Sequence, residues 1–203
     1  MGKVSRRNAM KSSIVAAVAL CVPELWPESQ SEDSAAKVPA KPASAPARSG
    51  AAADFADEIR LSRAYTLECA QAMPEARYNY RPVPQVRSFG QQMVHIGESV
   101  RGIYEVFIEG KSFPTTPFSE AGREVVKTKA EIVAGLREAF DYVQKAATRL
   151  NDRILEGRVK SITGSEVSKR RMLRFLLDHA THHRGQIVVY LRLNGIRPPF
   201  YRA

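Results

Sequence analysis

Apolar and polar positions between residues 55 and 194 recur at helical spacing, every three or four residues, in four separate segments. We predict helices over residues 55–72, 88–109, 128–150 and 163–194. Their inward-facing side chains are, in chain order, Phe55, Ile59, Leu61 or Ala64, Leu67 and Ala70; Phe89, Met93, Ile96, Val100, Ile103 and Phe107; Ile132, Leu136, Phe140 and Val143; and Met172, Leu176, His179, His183, Ile187 and Tyr190. No alternation of useful length predicts a strand. The pattern therefore predicts an all-α fold, an up-and-down four-helix bundle, with a disordered N-terminal extension.

Capping signals place the ends of these helices. Asp54 can cap the start of the first helix. In two later places a Ser/Thr-x-x-Glu capping box satisfies free backbone N–H groups, and these are Thr128 with Glu131 and Thr163 with Glu166. The second box is predicted to open the last helix, which ends at Gly195. Residues 78–84, which contain two prolines, are predicted to be an extended connector.

The first 53 residues differ from the rest of the chain in composition. Residues 1–22 combine a basic start with an apolar run over residues 14–22, which is too short to span a bilayer, so we predict a signal peptide without stable membrane insertion. Residues 5–11 resemble the twin-arginine export motif, which predicts a periplasmic protein; a cytoplasmic protein with an unprocessed tail is the alternative. Residues 23–53 are predicted to be an Ala/Pro-rich linker, leaving residues 54–203 as the folded domain.

Charge and cysteine content narrow the classes of partner only slightly. The net charge is +10, but it is spread along the chain and no basic helix carries aligned aromatic side chains, so we do not expect nucleic-acid binding. The two cysteines, Cys21 and Cys69, do not predict a disulfide framework.

Two histidines stand on the inward face of the last predicted helix. His179 and His183 are four residues apart, so their side chains lie one above the other on the same face. Two imidazoles at this spacing can share one metal ion. Histidines in a core can equally be structural residues with satisfied hydrogen bonds, and spacing alone leaves both interpretations open.

Four stretches of the chain carry a family resemblance. Residues 72–82, 86–96, 179–186 and 190–199 read AMPEARYNYRP, VRSFGQQMVHI, HATHHRGQ and YLRLNGIRPP. With these stretches in this order, the chain resembles the DinB (damage-inducible B) and YfiT-like superfamily of metal-binding four-helix bundles. The resemblance covers residues 54–203.

The resemblance implies a metal site and its ligands. In that family one histidine of the second helix and two of the last helix bind a divalent ion, zinc, nickel or iron, which here implies His95, His179 and His183. Three imidazoles leave coordination positions open, as in catalytic sites. The candidates for orienting the ligand rings are Asp178, His182, Gln186 and Gln91. The family also implies a homodimer, for which residues 78–84 and Phe200 with Tyr201 offer apolar surface.

Three functions remain in competition at this stage. The first is a metal-dependent enzyme acting on a small molecule, of the thiol S-transferase or hydrolase type; the resemblance implies thiol-dependent S-transferases or isomerases among its relatives. The second is a metal-binding or stress-response protein without turnover. The third and weakest is a nucleic-acid binder. No catalytic residue besides the metal ligands is identified from the sequence.

Overall fold

The structure is a computed structural model that describes residues 50–112 and 128–201. Its helices and strands are, in chain order, α1 (Ala51–Ala72), a 3₁₀ turn (Glu75–Arg77), α2 (Phe89–Phe107), α3 (Lys129–Ala147), the short α4 (Asp152–Leu155), β1 (Arg158–Lys160), β2 (Glu166–Ser168) and α5 (Lys169–Leu193). The four long helices form a bundle, which confirms the predicted fold class.

The bundle places α1 and α2 on opposite sides. α1 packs mainly against α3 and α5, and α2 also packs mainly against α3 and α5. The pair α2 and α5 therefore shares a long interface even though α3 lies between them in the chain. This interface holds the candidate site.

The directions of α2 and α3 differ from simple alternation. Near the start of both helices Gly90 lies against Ile132, and further along both helices Arg101 pairs with Glu138 at 3.3 Å. These contacts advance together, so α2 and α3 run parallel. The four-helix bundle is confirmed. Consecutive long helices alternate in direction, except for the parallel pair α2 and α3.

The predicted apolar faces form the core. Every inward position predicted on α2 and α3 is buried, as are all those on α5 except the half-buried His179. On α1 the positions Phe55, Ile59, Leu67 and Ala70 are buried, whereas Leu61 and Ala64 are only partly so. Each large aliphatic or aromatic side chain removed from water contributes about 1.5–3 kcal/mol, and this burial holds the helices together.

Of the three helix caps predicted from the sequence, only the one at Thr128 is confirmed. Thr128 and Glu131 form the predicted capping box, and Ser88 forms another with Gln91 at the start of α2. The prediction that Asp54 caps α1 is wrong: the helix begins at Ala51, inside the predicted linker. Asp152 of α4 accepts a hydrogen bond from the Ala52 N–H at 3.2 Å and so satisfies a free donor there.

The start of the last helix is also corrected. Residues 163–166 do not open α5, because Thr163 and Gly164 lie in the turn of a β-hairpin and Glu166 begins β2. Gly164 has a φ of +79°, which ends regular right-handed structure. The actual cap is Ser168, whose hydroxyl accepts from Arg171 N at 3.3 Å.

Several predictions fall on other parts of the chain. The signal peptide and all but the last residues of the predicted linker lie outside the described residues. The connector 78–84, which was predicted to be extended, contains turns. The last helix ends before Gly195, as predicted, and Gly195 has a φ of +71°. Within the described ranges, no helix is long and apolar enough to span a membrane.

Candidate metal centre

The antiparallel packing of α2 against α5 brings three histidines together. His95 on α2 lies with its Nε2 atom 3.1 Å from Nε2 of His183 and 3.2 Å from Nε2 of His179. One ligand nitrogen from each ring falls within a group whose members all lie within 4.8 Å of one another. His95 and His183 are buried and His179 is half-buried. The structure thus brings together the three residues that the sequence resemblance implied.

The spacing of these nitrogens fits a shared cation. Zn–N bonds of about 2.0–2.1 Å in tetrahedral geometry separate neighbouring ligand nitrogens by about 3.3 Å, close to the 3.1 and 3.2 Å observed. A neutral imidazole nitrogen carries either one proton or one lone pair, directed along the ring plane. His95 Nε2 therefore cannot form linear hydrogen bonds to both neighbours at once. A metal ion accepting all three lone pairs would satisfy the arrangement.

A chain of side-chain amides fixes the orientation of the His183 ring. Nδ1 of His183 lies 2.9 Å from Oε1 of Gln92. Because the amide oxygen only accepts, Nδ1 carries the proton and Nε2 presents its lone pair toward His95. The amide orientation is set in turn, since Gln92 Nε2 donates to Gln186 Oε1, and Gln186 Nε2 lies 2.9 Å from Nε2 of His182.

Ser99 stands one turn beyond His95 on α2. Its hydroxyl oxygen lies 3.1 Å from Nε2 of His179, and the side chain is buried. A hydroxyl can donate or accept at this position. It therefore places one polar group beside the point where the three rings converge, on the side away from Gln92.

The three rings are held in their neutral form. Removal from water lowers the pKa of His95 to about 3 and the pKa of His183 to about 4, and it also lowers the pKa of His179. The positive charge of Arg87 and the neighbouring histidines add to this effect in each case. Metal ligation requires neutral imidazole, so the site is prepared for a cation without first having to lose protons near neutral pH.

Two of the four residues predicted to orient the ligand rings lie in the chain of contacts that reaches His183. Gln186 and His182 belong to the amide chain that reaches His183, and the His182 ring packs edge-on against the His183 ring at 4.9 Å. Gln91 instead uses its side-chain oxygen to accept from Ser88 N at 2.7 Å in the helix cap. Asp178 is exposed and lies 3.7 Å from Arg174 on the outer face of α5.

The sequence prediction missed Gln92 and Ser99. Both are on α2 within four residues of His95, and the helical spacing of Ser99 from His95 is the signal that could have found it. Gln91 and Gln92 are adjacent glutamines, and only the helix phase shown by the structure separates the capping residue from the one that contacts His183.

Comparison with known proteins places the chain in a family. The model of the DinB superfamily matches residues 58–187, which contain all three histidines. The chain belongs to the DinB superfamily.

Curated relatives within the DinB superfamily include two proteins of Bacillus subtilis (strain 168). The uncharacterised protein YjoA is 27% identical over 143 residues, covering 69% of this chain and 89% of YjoA. The uncharacterised protein YrdA is 34% identical over 76 residues, covering 36% of this chain and 45% of YrdA.

Solved structures of DinB-like proteins share the fold. The crystal structure of YjoA has a TM-score of 0.59 at 23% identity and covers 73% of this chain and 97% of its own. A DinB-like protein from Bacillus cereus has a TM-score of 0.61 at 19% identity, covering 73% of this chain and 95% of its own. At these identities the likeness is one of fold.

Proposed function

We propose that this DinB-superfamily protein binds one divalent metal ion, zinc, nickel or iron, through His95, His179 and His183. We further propose that the ion serves a reaction on a small molecule, of the thiol S-transferase or hydrolase type. The observation that carries the proposal is the convergence of the three Nε2 atoms across the interface of two helices, with His95 Nε2 at 3.1 Å from that of His183 and 3.2 Å from that of His179.

The donor set supports an open rather than a closed site. Structural zinc sites use four protein ligands, whereas catalytic sites commonly use three and leave a position for water or substrate. A divalent ion held by three imidazoles supplies Lewis acidity and lowers the pKa of a water or thiol bound to it. Among the described residues, three ligand groups of the required type converge here.

The surrounding side chains have separate tasks in this proposal. Gln92 accepts a hydrogen bond from the Nδ1–H group of His183, which directs the lone pair of His183 Nε2 into the site. Gln186 accepts a hydrogen bond from the Gln92 amide and so fixes the orientation of that amide. The Ser99 hydroxyl is placed to hydrogen-bond a group that approaches beside His179. The buried environment excludes bulk water from two of the three rings.

Turnover is the part of the proposal that needs its own experiment. The full chain is stripped with chelator, reloaded separately with Zn²⁺, Ni²⁺ or Fe²⁺, and assayed with a panel of low-molecular-weight thiols and electrophiles and a panel of esters and amides. We expect thiol consumption or hydrolysis that is lost on chelation, restored on reloading and absent in His183→Ala. Metal uptake without turnover on any panel would contradict the enzymatic part and favour a metal-binding protein without catalysis.

A further inference from the structure

A small apolar pocket opens directly beside the three histidines. It has a volume of about 110 Å³, and its described lining residues are His95, Ser99, Gly102, Ile103, Phe107, Ile162, Phe175 and His179. None of these lining residues is a Lys, Arg, Asp or Glu. The pocket follows α2 from Ser99 toward its C-terminal end, on the side of the site away from Gln92 and Gln186.

The wall nearest solvent comes from the β-hairpin. Ile162 lies in the turn between β1 and β2 and is 62% exposed, in a turn otherwise made of Ser, Thr and Gly. The turn is held by hydrogen bonds from Ser161 N to Ser165 O at 2.8 Å and from Gly164 N to Ser161 O at 2.9 Å. An isolated exposed isoleucine is common on protein surfaces, but this one is fixed at the mouth of a pocket that reaches the metal ligands.

The inner walls are aromatic and aliphatic. Phe175 packs tilted against the His179 ring, with centroids 5.8 Å apart, while Ile103 and Phe107 are buried on α2. Apolar cavities of about 150 Å³ take up a benzene-sized molecule, and this pocket, being open at one side, is close to that size. Charged or sugar-like groups would lose their hydration here without gaining partners.

We infer that the pocket binds an uncharged aromatic or branched aliphatic group of the substrate, while the metal-binding end of the same molecule reaches the three histidines. This rests on the proposed function, because it assigns a substrate class to the same site. The polar side of the site, with Gln92 and Gln186, orients the ligands, and the apolar side selects the substrate. The hairpin, through Ile162, is a specificity-determining element.

Hydroxamates that differ only in their side group test this assignment. The full chain is loaded with Co²⁺, metal content is measured first, and acetohydroxamate and benzohydroxamate are titrated by the visible absorption of the ion. We expect benzohydroxamate to bind about tenfold more tightly or better, because its ring fills the pocket and a methyl group does not. Equal affinity of the two probes, with metal bound, would overturn the inference and leave the metal site intact.

Variants of the pocket wall supply the second readout. Ile162→Ser should reduce the preference for the phenyl probe by about threefold or more, with metal content unchanged. Ile154→Ser, the same change at another partly exposed isoleucine outside the pocket, should leave the preference as in the wild type. Phe175→Ala should shift the preference toward naphthohydroxamate. An Ile162→Ser protein with the wild-type preference would contradict the role of the hairpin, whereas failure to load Co²⁺ at all would contradict the proposed function itself.

Discussion

Single residues of α2 show how finely the site depends on helix phase. Gln91 and Gln92 are neighbours and both are buried, yet one caps the helix and the other contacts His183. The family resemblance implied the three histidines, because His95 lies in one of the matching stretches and His179 and His183 lie together in another. The resemblance could not predict which of the two glutamines faces the histidines. Successive side chains point about 100° apart around a helix, and tertiary packing sets which of them points at the site.

The two glutamines give a matched pair of variants. We expect Gln92→Leu to weaken metal affinity about 10- to 100-fold, because His183 loses the acceptor that fixes its tautomer. Gln91→Leu should keep metal affinity but lower the free energy of unfolding by about 1 kcal/mol through loss of the cap. Metal titration followed by a chelating dye, together with urea unfolding, separates the two effects. Similar metal affinities for both variants would argue against the Gln92 contact.

The depressed histidine pKa values predict a pH dependence of the metal-free protein. Folding lowers the pKa of His95 to about 3 and the pKa of His183 to about 4, below the ordinary value of 6.5. Below pH 6.5 these two histidines bind protons in the unfolded chain but not in the folded chain. The free energy of unfolding should therefore be highest above pH 6.5 and fall as the pH drops toward 4, by about 1.4 kcal/mol per pH unit for each histidine.

Urea unfolding of the metal-free chain between about pH 7 and pH 5 checks this dependence, since unfolded histidine titrates in that window. The control is His183→Gln, which should flatten the slope because one of the depressed groups is removed. A wild-type stability that stays constant or rises as the pH falls across this window would show that the rings are not held neutral by the fold.

At the level of elements, the long helices followed from periodicity and the hairpin did not. Apolar spacing over about twenty residues is a strong signal, and each of the four long helices overlaps the segment where it predicts one, although α5 begins at Lys169 rather than at residue 163. The two strands have three residues each, which is too few for alternation to be visible. Residues 163–166, Thr-Gly-Ser-Glu, also match the sequence pattern of a capping box. What distinguishes it is the left-handed backbone at Gly164, which a helix start does not accommodate.

Two glycine substitutions test the hairpin against a helix. We expect Gly164→Ala to lower the free energy of unfolding by about 1 kcal/mol, because its φ of +79° strains any residue with a Cβ. Gly135→Ala should raise it by about 0.5–1 kcal/mol, since that glycine is inside α3 with open space around a new Cβ. Thermal denaturation of the pair gives the signs. Stabilisation by Gly164→Ala would mean that residues 163–166 are helical after all.

For the whole molecule, the sequence predicted a bundle but not the order of its helices. The apolar face of a helix predicts which of its side chains are buried, but it does not predict which other helices that face packs against. The parallel run of α2 and α3 and the diagonal placement of α1 and α2 come from tertiary contacts alone. That arrangement is what sets α2 against α5 and assembles the site.

Assembly into a homodimer remains our prediction. Tyr78, which was expected to offer apolar surface, is instead buried in its own chain and donates to Ala70 O at 2.7 Å. Val83, Phe200 and Tyr201, which are 48%, 89% and 59% exposed, are the exposed large apolar side chains that remain on the predicted surface. Light scattering in the tens of micromolar should give twice the chain mass, and Phe200→Ser should lower it while Ile154→Ser does not. A monomeric wild type would contradict the prediction.

Metal content per chain tests the central claim most directly. The full chain is incubated with Zn²⁺, dialysed and measured by inductively coupled plasma mass spectrometry, with circular dichroism to confirm folding of each variant. We predict close to one ion per chain in the wild type and in His182→Ala, and nearly none in His95→Ala or His183→Ala. A wild type without metal, or equal metal content in all four proteins, would contradict a metal centre built from His95, His179 and His183.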